Sequence, residues 1–223
     1  MNTNGLRTLL RSFPMLHATP IVFIVDDDPA VREALESLVC QAGWKPQVFA
    51  SAQEFLEFPR TLVPSCLVLD VTMPGLNGLE LQSMIAGDRI DMPIIFITGH
   101  ADVPMTVKAM KAGAVEFLTK PVPEEALIDA ITGAIARSRS TLEQESEIRA
   151  LRGLYAKLTP RERDVMALVV RGLLNKQVGG ELGMAEITVK AHRGQIMRKM
   201  NAASFADLVN MSARLGLAPA SKR

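Results

Sequence analysis

At 223 residues the chain has room for one large domain or two small ones. A hydrophobic fraction of 48% supplies real cores and excludes general disorder, and no apolar run approaches the roughly 20 residues of a helical membrane span. The net charge of +1 hides an asymmetry: residues 1–140 sum to −5 and residues 157–223 to +7, which suggests two domains with different partners, the second partner a polyanion.

Met1 to Thr19 carries Arg7, Arg11 and a short Leu9-Leu10 pair but lacks the long apolar core of a signal peptide. Residues 1–18 therefore read as a loose tail on a cytoplasmic protein, with Met15 an alternative start. Strands are expected at Ile21–Val25, Gln47–Phe49, Cys66–Leu69, Pro93–Thr98 and Ala114–Leu118. Helices are expected at Pro29–Gln41, Ala52–Phe58, Gly78–Ile85 and Pro104–Lys111, and a fifth follows Pro123. Pro29 suits a first helical turn, with Asp28 as N-cap. Such alternation implies a doubly wound α/β domain, a parallel sheet wrapped on both faces. Cys40 and Cys66 both read as small core residues, with no disulfide or zinc pattern.

The chemistry gathers at strand ends. Cys66-Leu67-Val68-Leu69 is a buried strand that ends on Asp70, and Pro74-Gly75 then turns the chain. The strand Ile21–Val25 runs into Asp26-Asp27-Asp28. Thr98-Gly99 and Lys120 also follow apolar strands, and such ends converge on one edge of a parallel sheet. Clustered carboxylates repel one another, and a hard cation such as magnesium relieves this. Asp70 is read as accepting a phosphoryl group beside that ion.

Asp26-Asp27, Asp70, Thr98 and Thr119-Lys120-Pro121 resemble, in order, the signature set of a bacterial response-regulator receiver domain, over about Thr19 to Arg137. The resemblance implies a flavodoxin-like five-stranded sheet of order 2-1-3-4-5. It implies Asp27 and Asp70 as direct ligands of Mg2+ (or Mn2+ in its place), Asp26 mainly through water, and the Thr72 backbone carbonyl completing the protein's share. It also implies Asp70 as nucleophile toward a phosphohistidine on a sensor histidine kinase, Lys120 and Thr98 contacting the phosphoryl group, Lys120-Pro121 as a cis peptide, and Phe117 as the switch aromatic. Haloacid-dehalogenase-type phosphotransferases also use a strand-end Asp, but they need a second Asp two residues on. Here Thr72 stands there, so general acid catalysis of turnover lacks its residue. The chain is thus expected to be a phosphoacceptor and no turnover enzyme, one that catalyses at most its own phosphorylation from small phosphodonors.

From Pro123 to about Tyr155 there is no proline, and Leu127, Ile131, Ala134 and Ile135 fit one helical face. Beyond Arg137 the pattern turns polar, with Leu142, Ile148, Leu151 and Leu154 interspersed. This stretch, residues 138–156, reads either as a solvated linker or as an extended helix able to pair with its copy. The apolar spacing is irregular for a coiled coil.

In residues 157–223, Thr159 as N-cap, Pro160 at N1 and Glu162 at N3 form a capping box. Asn175–Leu182, a turn at Gly183, and a helix from about Ala185 to Met200 suggest an all-α helix-turn-helix unit, closed by a helix from about Ser204 to Leu215. Leu158-Thr159-Pro160-Arg161-Glu162, Asn175-Lys176, Leu182-Gly183 and Thr188-Val189-Lys190-Ala191-His192-Arg193 resemble the LuxR/FixJ-type effector domain. The whole chain is similar to FixJ-family response regulators, near the branch containing StyR and TodT. Two departures stand out: Ala185 in place of a capping Ser, at a cost of about 1 kcal/mol, and Gly179-Gly180 inside the scaffold helix, which argues for a less rigid unit. A helical wheel puts Val189, Ile196 and Met200 on one face and Lys190, Ala191, Gly194 and Arg198 on the other. The family's base-reading positions map to Lys190, Ala191 and Gly194; Lys190 suits guanine, Ala191 suits a thymine methyl, and Gly194 has no side chain to read with. Arg193, Arg198, Lys176 and Thr188 suit phosphate contacts. His192 flanks the packing face, with a structural role and a DNA contact both open.

The expectation is a two-component regulator. Phosphorylation draws Thr98 inward and repacks Phe117; the face of Pro104–Lys111 and Ala114–Leu118 then forms a homodimer that binds promoter DNA at paired half-sites. RNA polymerase is a further candidate partner, and no membrane is involved. The competing reading is a phosphorelay or scaffold protein whose basic domain binds protein.

Overall fold

The computed structural model describes residues 18–217 apart from 88 and 101. The expected N-terminal tail, with Met15, lies outside the described residues save for Ala18. The chain forms two compact units that divide between Glu143 and Gln144.

In the first unit five strands, β1 (Ile21–Val25), β2 (Lys45–Phe49), β3 (Ser65–Asp70), β4 (Ile94–Thr98) and β5 (Glu116–Thr119), form one sheet of order β2-β1-β3-β4-β5. Every pair is parallel. Alternate residues of a strand face opposite sides, and the two sides are filled differently. Phe23, Val25, Leu67, Leu69 and Phe96 join Phe55, Leu81 and Ala109 from α2 (Ala52–Glu57), α3 (Gly78–Ile85) and α4 (Val103–Lys111). Val22, Ile24, Cys66, Val68, Ile95 and Ile97 join Leu35 and Val39 from α1 (Pro29–Gln41) and Leu127, Ile131, Ala134 and Ile135 from α5 (Glu124–Ala156). Burial on both faces is why the central strands carry unbroken apolar runs.

The strand bounds shift from those expected. β2 opens earlier, at Lys45, because Lys45 N donates to Pro20 O at 2.9 Å. β3 extends through Asp70, and β5 begins at Glu116 and reaches Thr119. Asp28 caps α1 as read, accepting from Ala30 N at 2.9 Å. Cys66 is fully buried, and burial pushes its thiol well up. Cys40 corrects the reading: it is exposed, because one residue past the buried Val39 is about 100° around the helix.

The stretch read as linker is part of α5. Within the first unit Ser138 is fully buried and its Oγ accepts from Ser65 N at 3.0 Å. Within the second, Leu151 is fully buried in the core, and Glu147 pairs with Arg214. That unit continues as α6 (Pro160–Val169), α7 (Asn175–Leu182), α8 (Glu186–Lys199) and α9 (Phe205–Arg214). Val165, Met166, Val178, Val189, Ile196, Met200, Leu208 and Met211 form its core. The capping box at Thr159 is present: Glu162 N donates to Thr159 Oγ1 at 3.2 Å and Thr159 N to Glu162 Oε2 at 2.7 Å.

Candidate functional site

Register brings the strand ends together. Val25 lies beside Leu69, Asp70 beside Ile97, and Thr98 beside Thr119. Asp26, Asp70, Thr98 and Lys120 therefore meet at the carboxyl edge of the sheet. Carboxylate oxygens of Asp26, Asp27 and Asp70 all lie within 4.8 Å of one another. Asp26 and Asp70 are buried and Asp27 is exposed.

Lys120 Nζ donates to Asp26 Oδ2 at 2.7 Å and to Asp70 Oδ2 at 2.6 Å. The remaining oxygens accept from backbone: Asp26 Oδ1 from Asp28 N and Asp70 Oδ1 from Thr72 N, each at 2.9 Å. Burial pushes the Asp26 carboxyl above its ordinary value, against the pull of Lys120 and the Asp28 amide. Burial works against the Lys120 charge as well, but hydrogen bonds to Asp26 and Asp70 outweigh it and raise that group. The ammonium is therefore held charged between two carboxylates. The Lys120-Pro121 peptide is cis.

Thr98 is wholly buried. Its hydroxyl donates to His100 O at 3.1 Å and accepts from His100 N at 3.3 Å. Phe117 is half-buried with its ring centroid 6.0 Å from that of Phe96. Two features of the pocket were missed in the sequence. Arg32 donates to Asp26 O at 2.6 Å. Gly78, at the start of α3, leaves no room for a Cβ against the Asp70 carbonyl.

In the second unit α7 and α8 are joined by Gly183 at φ +63°. Val189, Ile196 and Met200 are fully buried, while Lys190, Ala191, Gly194 and Arg198 are exposed, as the wheel requires. Lys176 and Thr188 are exposed as well, and His192 is half-buried. Ile187, overlooked in the sequence, is 73% exposed on the outward face, one turn before Ala191. Arg193 is half-buried and bonded within the unit. Ala185 makes no side-chain cap bond, as expected. The loosening expected of Gly179 is corrected: a Cβ there would lie 2.6 Å from the Met184 carbonyl, so glycine allows the close α7–α8 turn. Gly180 has open space around it.

Glu162 is 4% exposed and its Oε2 accepts from Lys199 Nζ at 2.6 Å. Burial raises this carboxyl, and Lys199 with the Thr159 contacts more than reverses that, so its pKa is lowered. The pair ties the start of α6 to the last turn of α8.

Among the described residues no helix is long and apolar enough to cross a membrane. Residues 22–132 match the response regulator receiver domain, and residues 156–212 match the luxR family of bacterial regulatory proteins. Nodulation protein W of Bradyrhizobium diazoefficiens is 51% identical over 197 residues, 88% of this chain and 87% of that one. The transcriptional regulatory protein FixJ of the same organism is 38% identical over 196 residues, 88% of this chain and 96% of that one. The solved structure of the response regulator StyR is 48% identical, covers 88% of this chain and 100% of that one, and aligns with a TM-score of 0.79. With an acidic strand-edge pocket in one unit and a helix-turn-helix in the other, this chain belongs to the FixJ-type two-component response regulators, in which a receiver domain precedes a LuxR-type DNA-binding domain.

Proposed function

We propose that Asp70 takes a phosphoryl group from a sensor histidine kinase and that this controls promoter binding by the second unit. The observation that carries the reading is the Lys120 ammonium held between Asp26 and Asp70, within a set of three carboxylates. An Asp70 carboxylate oxygen attacks the phosphorus of the donor phosphohistidine. The P–N bond breaks, imidazole leaves, and an acyl phosphate forms on Asp70. Lys120 follows the charge onto the phosphoryl oxygens, and the Thr72 amide orients the carboxylate.

An all-oxygen donor set suits Mg2+, or Mn2+ in its place. Asp27, Asp70 and the Thr72 carbonyl are the proposed ligands. Asp26 is proposed to contact the ion mainly through water. When bound, the cation neutralises charge on the transferring group. A small acyl phosphate is proposed to serve in place of the kinase.

Thr98 turns its hydroxyl from His100 to the phosphoryl group, and Phe117 repacks. Val103, Val107 and Met110 line α4 at helical spacing with 76%, 44% and 42% of their surfaces exposed, which supports that face for homodimerisation. The proposed boundaries are a receiver over 19–137, a helical linker over 138–156 and an effector domain over 157–223. Lys190, Ala191 and Gly194 form the proposed base-reading face of α8, with Lys176, Thr188 and Arg198 toward phosphates. The protein is proposed to act in the cytoplasm, with RNA polymerase a further partner at the promoter.

Gel shifts of the full chain with and without acetyl phosphate, titrated with salt, test this. Binding should tighten on phosphorylation, weaken steeply with salt, and lose its response in Asp70→Asn. Salt-insensitive association would favour the scaffold reading.

A further inference from the structure

Arg193 lies on α8 in a different place from the exposed basic side chains of that helix. Lys190 and Arg198 point outward, whereas Arg193 is about 40° around the helix from the buried Val189. Its Nη1 donates to Asn175 Oδ1 at 2.7 Å. Its guanidinium carbon stands 5.1 Å from the centroid of the Phe205 ring. Asn175 is the first residue of α7 and Phe205 the first of α9. One side chain therefore reaches from the recognition helix to the starts of both neighbouring helices.

The packing beneath it is open. Val169, Ile196, Met197, Phe205 and Leu208 line a cleft of about 160 Å3 that Arg193 borders. At the edge of that cleft Arg193 adds directional contacts to α7 and α9. Helix N-termini carry partial positive charge, so long-range electrostatics does not draw a cation to this position. A planar guanidinium that bonds in its own plane and stacks on a ring is better suited to it than an ammonium.

We propose that Arg193 is a positioning residue: it clamps α8 to α7 and α9 and sets the angle at which Lys190 and Ala191 meet the bases, and it makes no phosphate contact. This rests on the DNA-binding reading above. The conservative substitution separates the roles. A phosphate contact tolerates Arg193→Lys and loses about one unit of salt slope in Arg193→Gln. A clamp fails in both, with the slope unchanged, and also fails when its partner is removed.

The experiment uses the full chain, phosphorylated with acetyl phosphate, on a duplex that the wild-type chain selects from a random library. Affinity is measured across a salt series for wild type, Lys190→Ala, Arg193→Lys, Arg193→Gln and Asn175→Ala, with thermal melting to confirm that each is folded. The clamp predicts about a tenfold loss for Arg193→Lys, Arg193→Gln and Asn175→Ala alike, the wild-type salt slope in all three, and no further loss in the Asn175→Ala, Arg193→Lys double variant. Wild-type affinity in Arg193→Lys with a shallower slope in Arg193→Gln overturns it, as does wild-type affinity in Asn175→Ala. Should Arg193→Gln unfold, Arg193→Lys and Asn175→Ala decide alone. If wild type shows no salt-dependent binding, the DNA-binding reading falls and takes the clamp with it; if only Lys190→Ala weakens binding, that reading stands and the clamp falls.

Discussion

Gly78 and Asp70 are eight residues apart in sequence, yet a Cβ on Gly78 would overlap the Asp70 carbonyl oxygen. Gly78 N also donates to Val71 O at 3.1 Å. The first residue of α3 therefore rests directly on the backbone that aims Asp70, the proposed phosphoacceptor. Gly78→Ala must push β3 and α3 apart, since backbone on both sides leaves no flexible group to yield. We expect a stability loss of about 1–3 kcal/mol together with slower phosphoryl uptake, measured by denaturant unfolding and by labelling from acetyl phosphate.

Lys120 is the charged partner of both Asp26 and Asp70. Lys120→Ala leaves the carboxylates facing one another and takes away the cation proposed to follow charge onto the phosphoryl oxygens. Phosphorylation from acetyl phosphate should slow by about 100-fold, and added magnesium should recover little of it. A rate within threefold of wild type would show that Lys120 does no more than neutralise the resting pocket.

The Glu162–Lys199 pair makes the second unit sensitive to acid. Glu162 is held below its ordinary value in the folded chain. Above about pH 5 both folded and unfolded forms are ionised and the full stabilisation is present. Below the usual glutamate value of about 4.3 the unfolded chain takes up a proton first, so stability falls until the lowered folded value is passed. Melting of the full chain at pH 3–6, followed in the near-ultraviolet at the single Tyr155 of that unit, should show this fall. Glu162→Gln should be less stable at pH 6 and should flatten the dependence.

Lys199→Ala at neutral pH leaves the Glu162 carboxylate covered with only the Thr159 contacts. A loss of about 2–4 kcal/mol is expected, confined to the second unit. The Trp44 signal, which belongs to the first unit, should be unmoved.

Much of this arrangement was readable in the sequence because it rests on local rules. Apolar runs gave the central strands, and the polar residue ending each run marked the sheet edge. Thr159, Pro160 and Glu162 announced a helix start. What escaped depends on contacts between distant residues. The Glu162–Lys199 and Arg32–Asp26 pairs have no spacing signal. Gly78 and Gly179 look like helix weakeners until the opposing carbonyls are seen. The irregular apolar pattern of α5 has a similar origin: Leu127 to Ile135 serve one core and Leu151 another, so no single stripe runs the helix. Charge alone groups Arg193 with the phosphate contacts, and its bond to Asn175 and its place over Phe205 leave no mark on the sequence.

The central claim is that Asp70 becomes the acyl phosphate. The full chain, treated with magnesium and acetyl phosphate, can be reduced with borohydride, which converts a phosphorylated aspartate to homoserine, and then mapped by peptide mass spectrometry. The account predicts homoserine at position 70 alone, and none when magnesium is withheld or in Asp70→Asn. Homoserine at Asp26, Asp27 or Asp28, or undiminished labelling of Asp70→Asn, would contradict it.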